Sequence, residues 1–396
     1  MSLSERVLIA GAGPVGLVAA ANLVQHRIPV TVLEAGSDLS DESRASTFHP
    51  PTLDMLDDLG VTQDLIAQGL RAPKFQYRSR KDGLIAQFDF AAIDDVTRHP
   101  FRLQCEQSKL TRILLKKLAN NPDFEIEFSS QVRHVKQDSD SVTVTIDREG
   151  HTDSQTARWL IGADGARSDV RRSLGVKFEG FTWPERFLVV STPFEFNRVI
   201  PDLVSVNYVA DPQRWHFLLQ IPGLWRIMFP ISSNESDTLA LSPSFAQSLM
   251  ATVAPGVLNY EIAHATLYRV HQRVAETFRA ARVFLIGDAA HINNPLGGMG
   301  MNGGIHDAIN LTGRMIDVWR KIKPDNEFDR YDRQRRLVTK EHVEKISIQN
   351  KKDLESDKPE FRQRLIQIAA DPAQTREFLL SVSMISSLKR AEQLGE

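Results

Sequence analysis

The chain has 396 residues, two to three folding units at roughly 150 residues each, and its 48 Lys plus Arg against 50 Asp plus Glu leave a net charge of -2. That balance supplies no basic field to attract nucleic acid or an anionic membrane. A hydrophobic fraction of 42%, a charged fraction of 25% and 19 prolines argue against disorder, collagen and coiled coil, while the single cysteine, Cys105, excludes an intrachain disulfide and any multi-cysteine metal site. Cys105 reads as a small buried filler, and a reducing cytoplasm is the simplest home. Glu5, Arg6 and the Gly11-Ala12-Gly13-Pro14 break interrupt the N-terminal apolar stretch, so neither a signal peptide nor a membrane span is expected.

The first elements alternate strand and helix, the α/β pattern that winds into a parallel sheet covered by helices. Arg6 to Ala10 reads as a strand, followed by Gly11-Ala12-Gly13-Pro14-Val15-Gly16 and an alanine-rich helix to about Gln25. Gly11 permits a tight turn, Gly13 lets a pyrophosphate approach backbone amides, and Gly16 lets the helix pack on the strand. Pro14 stands where the first helical turn needs no N–H donor. A second strand, Pro29 to Leu33, ends in Glu34 and Ala35, where the Glu34 carboxylate can accept the ribose hydroxyls of an adenosine. This motif alone leaves NAD and FAD both open.

Two later stretches narrow that choice. Trp159 to Ile161 runs as an apolar strand into Gly162-Ala163-Asp164-Gly165 and a basic helix start ending at Arg171. From Leu203 to Ile231 three short apolar runs, Leu203–Val209, Trp215–Ile221 and Leu224–Ile231, predict an antiparallel meander with turns at Asp211-Pro212 and Pro222-Gly223. In its second run Trp215, Phe217, Leu219 and Ile221 share one face and His216, Leu218 and Gln220 the other. A buried strand returns at Arg282 to Ile286. It leads into Gly287-Asp288-Ala289-Ala290-His291, then Pro295, Gly297, Gly298, Met299, Gly300, Met301 and Asn302. Asp288 ends a buried strand, where a carboxylate can bind a sugar-alcohol hydroxyl. The glycines let bare backbone lie against a flat ring, with the positive end of the next helix aimed at it. After Pro324 the chain is charged and helical in period, which predicts a C-terminal helical appendage.

With these motifs in this order, residues 5 to 340 resemble the class A flavoprotein monooxygenases, the single-component aromatic hydroxylases of the para-hydroxybenzoate hydroxylase type. The resemblance implies a discontinuous FAD-binding domain (1–75, 101–180 and 271–340), a substrate-binding domain (76–100 and 181–270) and a C-terminal helical segment (341–396). It implies that Gly11, Gly13, Pro14, Val15, Gly16, Glu34 and Ala35 hold the ADP half of FAD and that Asp288 holds the ribityl chain. Asp164 lies in a stretch tied to both FAD and the nicotinamide coenzyme, and Gly298, Gly300, Met301 and Asn302 lie against the ring. Arg44 matches the flavin-contacting arginine, and Gln107 the residue that opens a helix against the ribityl chain.

The implied reaction is hydroxylation of a small phenolic or hydroxypyridine-like ring: NADH or NADPH reduces FAD, O2 adds at C4a, and the hydroperoxide transfers oxygen to the activated ring. The Pro295 carbonyl is the implied partner of the peroxide, and His49 the candidate base or proton relay, with a plain loop histidine as the competing reading. Tyr208, His216, Gln220 and Arg226 lie on the sheet expected to roof the substrate, where simple sheet packing competes with a binding role; Arg226 would suit a carboxylate by bidentate pairing. Asp38, Asp41 and Glu42 would repel a 2′-phosphate, which favours NADH. No His-Glu-x-x-His spacing calls for a metal, and no Gly-x-Ser-x-Gly elbow for a hydrolase. A reductase of the same fold that inserts no oxygen stays open, as does a non-catalytic flavin-holding protein; the Trp-x-Trp-x-Ile-Pro signature of tryptophan halogenases is missing. Monomer and homodimer are both compatible with the sequence.

Overall fold

The computed structural model describes residues 5–41, 45–257, 259–356 and 358–394. Its first layer is a six-stranded sheet in the order Arg279–Ala280, Val283–Leu285, Trp159–Gly162, Val7–Ala10, Val30–Leu33 and Phe124–Glu127. All but the Arg279–Ala280 edge pair in parallel. Every residue of Val7–Ala10 and Trp159–Gly162 is buried, because a parallel sheet is covered on both faces. The helices Pro14–Gln25 and Met299–Trp319 pack against each other there, and a meander of Gln131–Gln137, Val142–Arg148 and His151–Ala157 adds its apolar side to the same core.

The second layer is an eight-stranded sheet, ordered His291–Ile292, His264–Ala275, Phe178–Thr192, Leu224–Ile231, His216–Ile221, Val206–Ala210, Lys74–Ser79 and Gly83–Asp89. The three apolar runs form the expected antiparallel meander, and the last turn is a two-residue hairpin in which Gly223 takes a φ of +77°. Val206–Ala210 then pairs in parallel with Lys74–Ser79, a strand from more than a hundred residues earlier.

The C-terminal helices belong to this second layer. Phe361, Leu365, Leu379, Val382 and Ile385 pack into one apolar cluster with Phe75, Tyr77, Tyr208 and Phe217. At about 1.5–3 kcal/mol for each large side chain buried, these helices contribute substantially to the core of the sheet. Among the described residues no helix is long and apolar enough to cross a membrane.

Candidate active site

Three motif-bearing strands, Val7–Ala10, Trp159–Gly162 and Val283–Leu285, are immediate parallel neighbours, so their C-terminal ends open on one edge. Crevices beyond the carboxyl ends of such strands are where open α/β sheets bind ligands. At the first end Gly11 adopts φ +103°, and a methyl group there would sit 2.5 Å from the Ala163 carbonyl oxygen. Gly13, by contrast, faces open space: nothing lies within 4 Å of where its Cβ would be. It caps the Pro14–Gln25 helix without any side-chain cap, so the first-turn amides are left for a ligand. Val15 and Gly16 are packing residues, Gly16 against Gly11 and Val15 against Gly287 and Gly304.

Glu34 follows the neighbouring strand. Its two carboxylate oxygens accept the Ala12 and Gly36 amides at 2.7 and 2.8 Å, which fixes the acid, with Ala35 next to it in the chain, beside the glycine turn. On the other flank Asp164 accepts the Val170 amide at 3.0 Å. Its other oxygen is buried without a partner, and burial pushes its carboxyl above the ordinary range. Arg171 joins the second motif to the third by donating to the Ala289 and Ala166 carbonyls at 2.7 and 2.8 Å. Asp288 stands exposed in the short turn Gly287–Ala289. That turn is held from behind by a buried network: Asp307 accepts the Gly287 amide at 3.2 Å and pairs with His291 and Arg335, each at 2.7 Å.

The glycine-rich loop closes as a turn in which Gly298 donates its amide to the Pro295 carbonyl at 3.0 Å. Gly298, at φ +66°, caps the Met299–Trp319 helix without a side-chain cap, giving a second uncapped helix start. Asn302 ties the loop to the strand Thr47–Phe48. Its amide group donates to the Thr47 and Gly298 carbonyls at 2.8 and 2.6 Å, and its oxygen accepts the His49 amide at 2.9 Å. Gly300 lies against Asn293, and Met301 is buried in the core. His49 is not a surface histidine: it is fully buried, with Nε2 2.7 Å from the Gly297 carbonyl. Burial, then the charge of Arg102, holds it neutral, its pKa well below 6.5. Gln107 opens the helix Gln107–Leu118 and donates its amide to Ala45. Arg44 lies outside the described residues.

Across the cleft, the sheet face carrying Phe187, Tyr208, Phe217 and Met228 shares a cluster with Leu296 of the glycine loop. Tyr208 accepts a hydrogen bond from Arg102 at 3.1 Å, and the Arg102 guanidinium lies 4.6 Å over the Phe75 ring. Arg226 is on the face of Met228, beside Tyr268, whose hydroxyl points to the Met228 sulfur at 3.4 Å. His216 and Gln220 are not brought to the cleft. Tyr208 is in register with Phe217, and strand side chains alternate, so His216 turns to the opposite face, against Phe229 at 5.5 Å. Burial there lowers its pKa to about 4. Gln220 accepts the Ser205 hydroxyl at 3.1 Å on that same far side.

Two residues the sequence did not single out face the cleft from the strand Arg102–Gln104. Arg102 is 2% exposed and Gln104 is fully buried; Arg102 Nε and Gln104 Nε2 have no partner, nor has His49 Nδ1. A polar residue at alternate positions of a three-residue strand was the only available signal. The outer side of the loop is covered by the helix Lys345–Ser356, where the Ser347 carbonyl accepts the Asn294 side chain at 3.1 Å.

This arrangement fits an FAD cradle: two uncapped helix starts, an open Gly13, an exposed Asp288 and an orphaned Asp164 oxygen. The comparisons define the class. The chain is 33% identical over 402 aligned residues to para-nitrophenol 4-monooxygenase of Pseudomonas sp. strain WBC-3, covering 99% of both chains. It is 35% identical over 365 residues to a 6-hydroxy-3-succinoylpyridine 3-monooxygenase of Pseudomonas putida, covering 91% of each. The crystal structure of p-nitrophenol 4-monooxygenase from Pseudomonas putida superposes with a TM-score of 0.91 at 31% identity over 98% of both chains. These relatives are named as monooxygenases of aromatic and heteroaromatic rings, and a reductase inserting no oxygen is set aside. The chain belongs to the FAD binding domain family, whose model matches residues 4–346.

Proposed function

We propose that the protein hydroxylates a small phenolic or hydroxypyridine-like ring, drawing electrons from NADH in preference to NADPH and oxygen from O2, in the cytoplasm. The observation that carries this reading is the cleft itself. An apolar sheet face and a glycine loop enclose three buried polar atoms without partners, on His49, Arg102 and Gln104. Buried polar groups are otherwise paired, so orphans gathered in one place mark where a polar ligand completes them. The relatives' names, for a nitrophenol and a hydroxypyridine, support the ring class.

FAD, when bound, supplies the electron transfer from the nicotinamide and the activation of oxygen. Gly13 and the amides behind it would hold its pyrophosphate, Glu34 the adenosine ribose, and Asp288 the ribityl chain. Gln107 and the Gly298-to-Asn302 helix start would hold the rest of the cofactor. The chain's own chemistry is positional. Tyr208, accepting from Arg102, keeps its hydroxyl proton for a substrate oxygen. His49 donates through Nε2 to Gly297, which leaves Nδ1 as a neutral acceptor for a substrate or solvent proton. The Pro295 carbonyl adds a fixed dipole on the loop side. For the nicotinamide, Asp38 and Asp41 supply acidic charge, although Asp41 is paired with Arg112.

The test is anaerobic reduction of the FAD-loaded protein by NADH and by NADPH, with phenols, aminobenzoates and hydroxypyridines added in turn. Faster reduction with a phenol or hydroxypyridine, then O2 uptake matched by hydroxylated product, is expected. Turnover without oxygen incorporation overturns the reading, and faster reduction by NADPH overturns the coenzyme preference.

A further inference from the structure

The cleft is shut on itself: His49 Nδ1, Arg102 Nε and Gln104 Nε2 are all buried out of reach of water. A ring that completes them enters only when a bounding element moves. The sheets are held by their hydrogen-bonded ladders, which leaves the helix Lys345–Ser356 over the glycine loop.

This helix touches both sides of the cleft. On the loop side the Ser347 carbonyl accepts the Asn294 side chain, and a Cβ on Gly297, whose carbonyl holds His49, would lie 3.5 Å from the Asn350 side-chain nitrogen. On the sheet side Leu354 joins the cluster of Tyr208 and Leu296. The buried positions Ser347, Lys351 and Leu354 recur at i, i+4 and i+7, so they form one inward face. Only one of the three is apolar, whereas the next helix, Pro359–Ala370, buries Phe361 and Leu365.

Charge fastens what apolar area does not. Lys351 is 5% exposed and pairs with Glu185, in the irregular stretch of Phe178–Thr192 between Thr182 and Arg186, and with Glu355 on its own helix. Its ammonium lies 4.4 Å over the Trp183 ring. The helix is entered through a π-helical turn, Thr339–Glu344, and Pro359 begins the element after it, so neither end continues as regular α-helix. The family's model ends at residue 346, short of this whole inward face.

Resting on the hydroxylase reading above, we infer that the helix Lys345–Ser356 is the gate through which the ring substrate enters, and that Lys351, through its pair with Glu185, is the positioning residue that latches it. Opening breaks one ion pair across the seam and returns both charges to water, which recovers their hydration, and it unfolds neither sheet. Lys351 sets how often the cleft opens, as lid contacts do in enzymes whose ligands are enclosed.

The experiment reads the opening directly. Ser347→Cys places a thiol on the inward face, and its alkylation by iodoacetamide is followed in the FAD-loaded protein, with the fully buried Cys105 as the internal control. Saturating 4-nitrophenol, 4-hydroxybenzoate or 4-methylphenol, whichever binds, should slow labelling at 347 about tenfold or more. Adding Lys351→Gln should speed it roughly 10- to 150-fold, the range of a hydrogen bond between charged groups, and Lys351→Arg should keep it within about threefold of the lysine protein. By stopped-flow flavin absorption, Lys351→Gln should raise the association and dissociation rate constants of the bound phenol together and leave Kd within about threefold, because an unlatched gate speeds entry and exit alike. Where Lys351→Gln loses its flavin, Glu185→Gln takes its place and should give a smaller rise in the same direction. Labelling that neither variant changes overturns the latch. Faster labelling without faster association overturns the gate, since the helix then lifts without admitting a ligand. If none of the phenols binds or speeds flavin reduction, the hydroxylase reading fails and the labelling alone decides the latch; if phenols speed reduction while labelling at 347 is unmoved, the reading stands and the gate falls.

Discussion

On the proposed cofactor side of the cleft the candidate binding groups are mostly main-chain atoms: the amides behind Gly13, the turn at Gly287, the helix start at Gly298. On the proposed substrate side they are side chains, Tyr208 and Arg102, projecting from strands far apart in the chain. The difference has a physical root. Phosphates and a flat ring are met by bare backbone, which needs glycine and fixed turns, whereas discrimination among small rings needs pocket walls that differ in shape and charge. The first kind of site tolerates almost no substitution, and the second is where one enzyme can differ from its relatives.

The contrast can be broken most directly at Gly11. Gly11→Ala places a methyl against the Ala163 oxygen at an unfavourable φ, a strain on the order of 1–3 kcal/mol before the clash is counted. We expect FAD affinity to fall about 100-fold or the apoprotein to lose its fold, read by flavin titration and circular dichroism. Normal flavin uptake would show that the backbone does not define this side.

Asp307→Asn comes next, because it leaves the buried Arg335 without its counter-charge. Losing one partner of a buried pair costs about 3–5 kcal/mol, with flavin content falling as the Gly287 turn loosens. The pH dependence follows in sign. Burial pushes the Asp307 carboxyl up, but His291 and Arg335 outweigh it and the value ends below the ordinary one. Its contribution is therefore complete above the unfolded value of about 3.9 and is lost as pH falls through the folded value. The buried neutral histidines act at higher pH. His216 and His306 are lowered from 6.5 to about 4 and about 3, chiefly by burial, so the unfolded chain takes up protons first. Stability should be full above pH 6.5 and fall as pH drops from 6.5 toward 4; a Tm that is flat across that window contradicts this.

Tyr208→Phe sharpens the substrate side. It removes a hydroxyl held by Arg102 and should lower kcat about tenfold or more while FAD affinity is unchanged. An unchanged kcat would remove Tyr208 from the chemistry. The smallest effect belongs to Gln220→Ala, on the far face, where kcat/KM should stay within about twofold, as for a substitution outside the site. A large drop would mean that the two faces of the sheet are not functionally separate.

Legibility followed the same division. Gly11, Glu34, Asp164 and Asp288 are legible as candidates from local patterns, since a turn at the end of a buried strand is written in consecutive residues, and the strands they follow lie together in one sheet. For His49 the sequence leaves a base and a plain loop histidine both open, and only the Gly297 and Asn302 contacts, some 250 residues away, show it to be buried behind the loop. His216 and Gln220 cannot be separated from Tyr208 by sequence, because the period within one strand is visible there whereas the register between strands is not. The pairing of Tyr208 with Phe217 decides which face each residue takes.

What the chain alone determined was the α/β class, the FAD cradle and the meander, because each arises from short-range periodicity and turn chemistry. The tertiary structure decided which sheet face closes the cleft, that the C-terminal helices complete its core, and that Arg102 and Gln104 are left with bonds to make. Those depend on strand register and on contacts across the sheet seam, which no local pattern encodes.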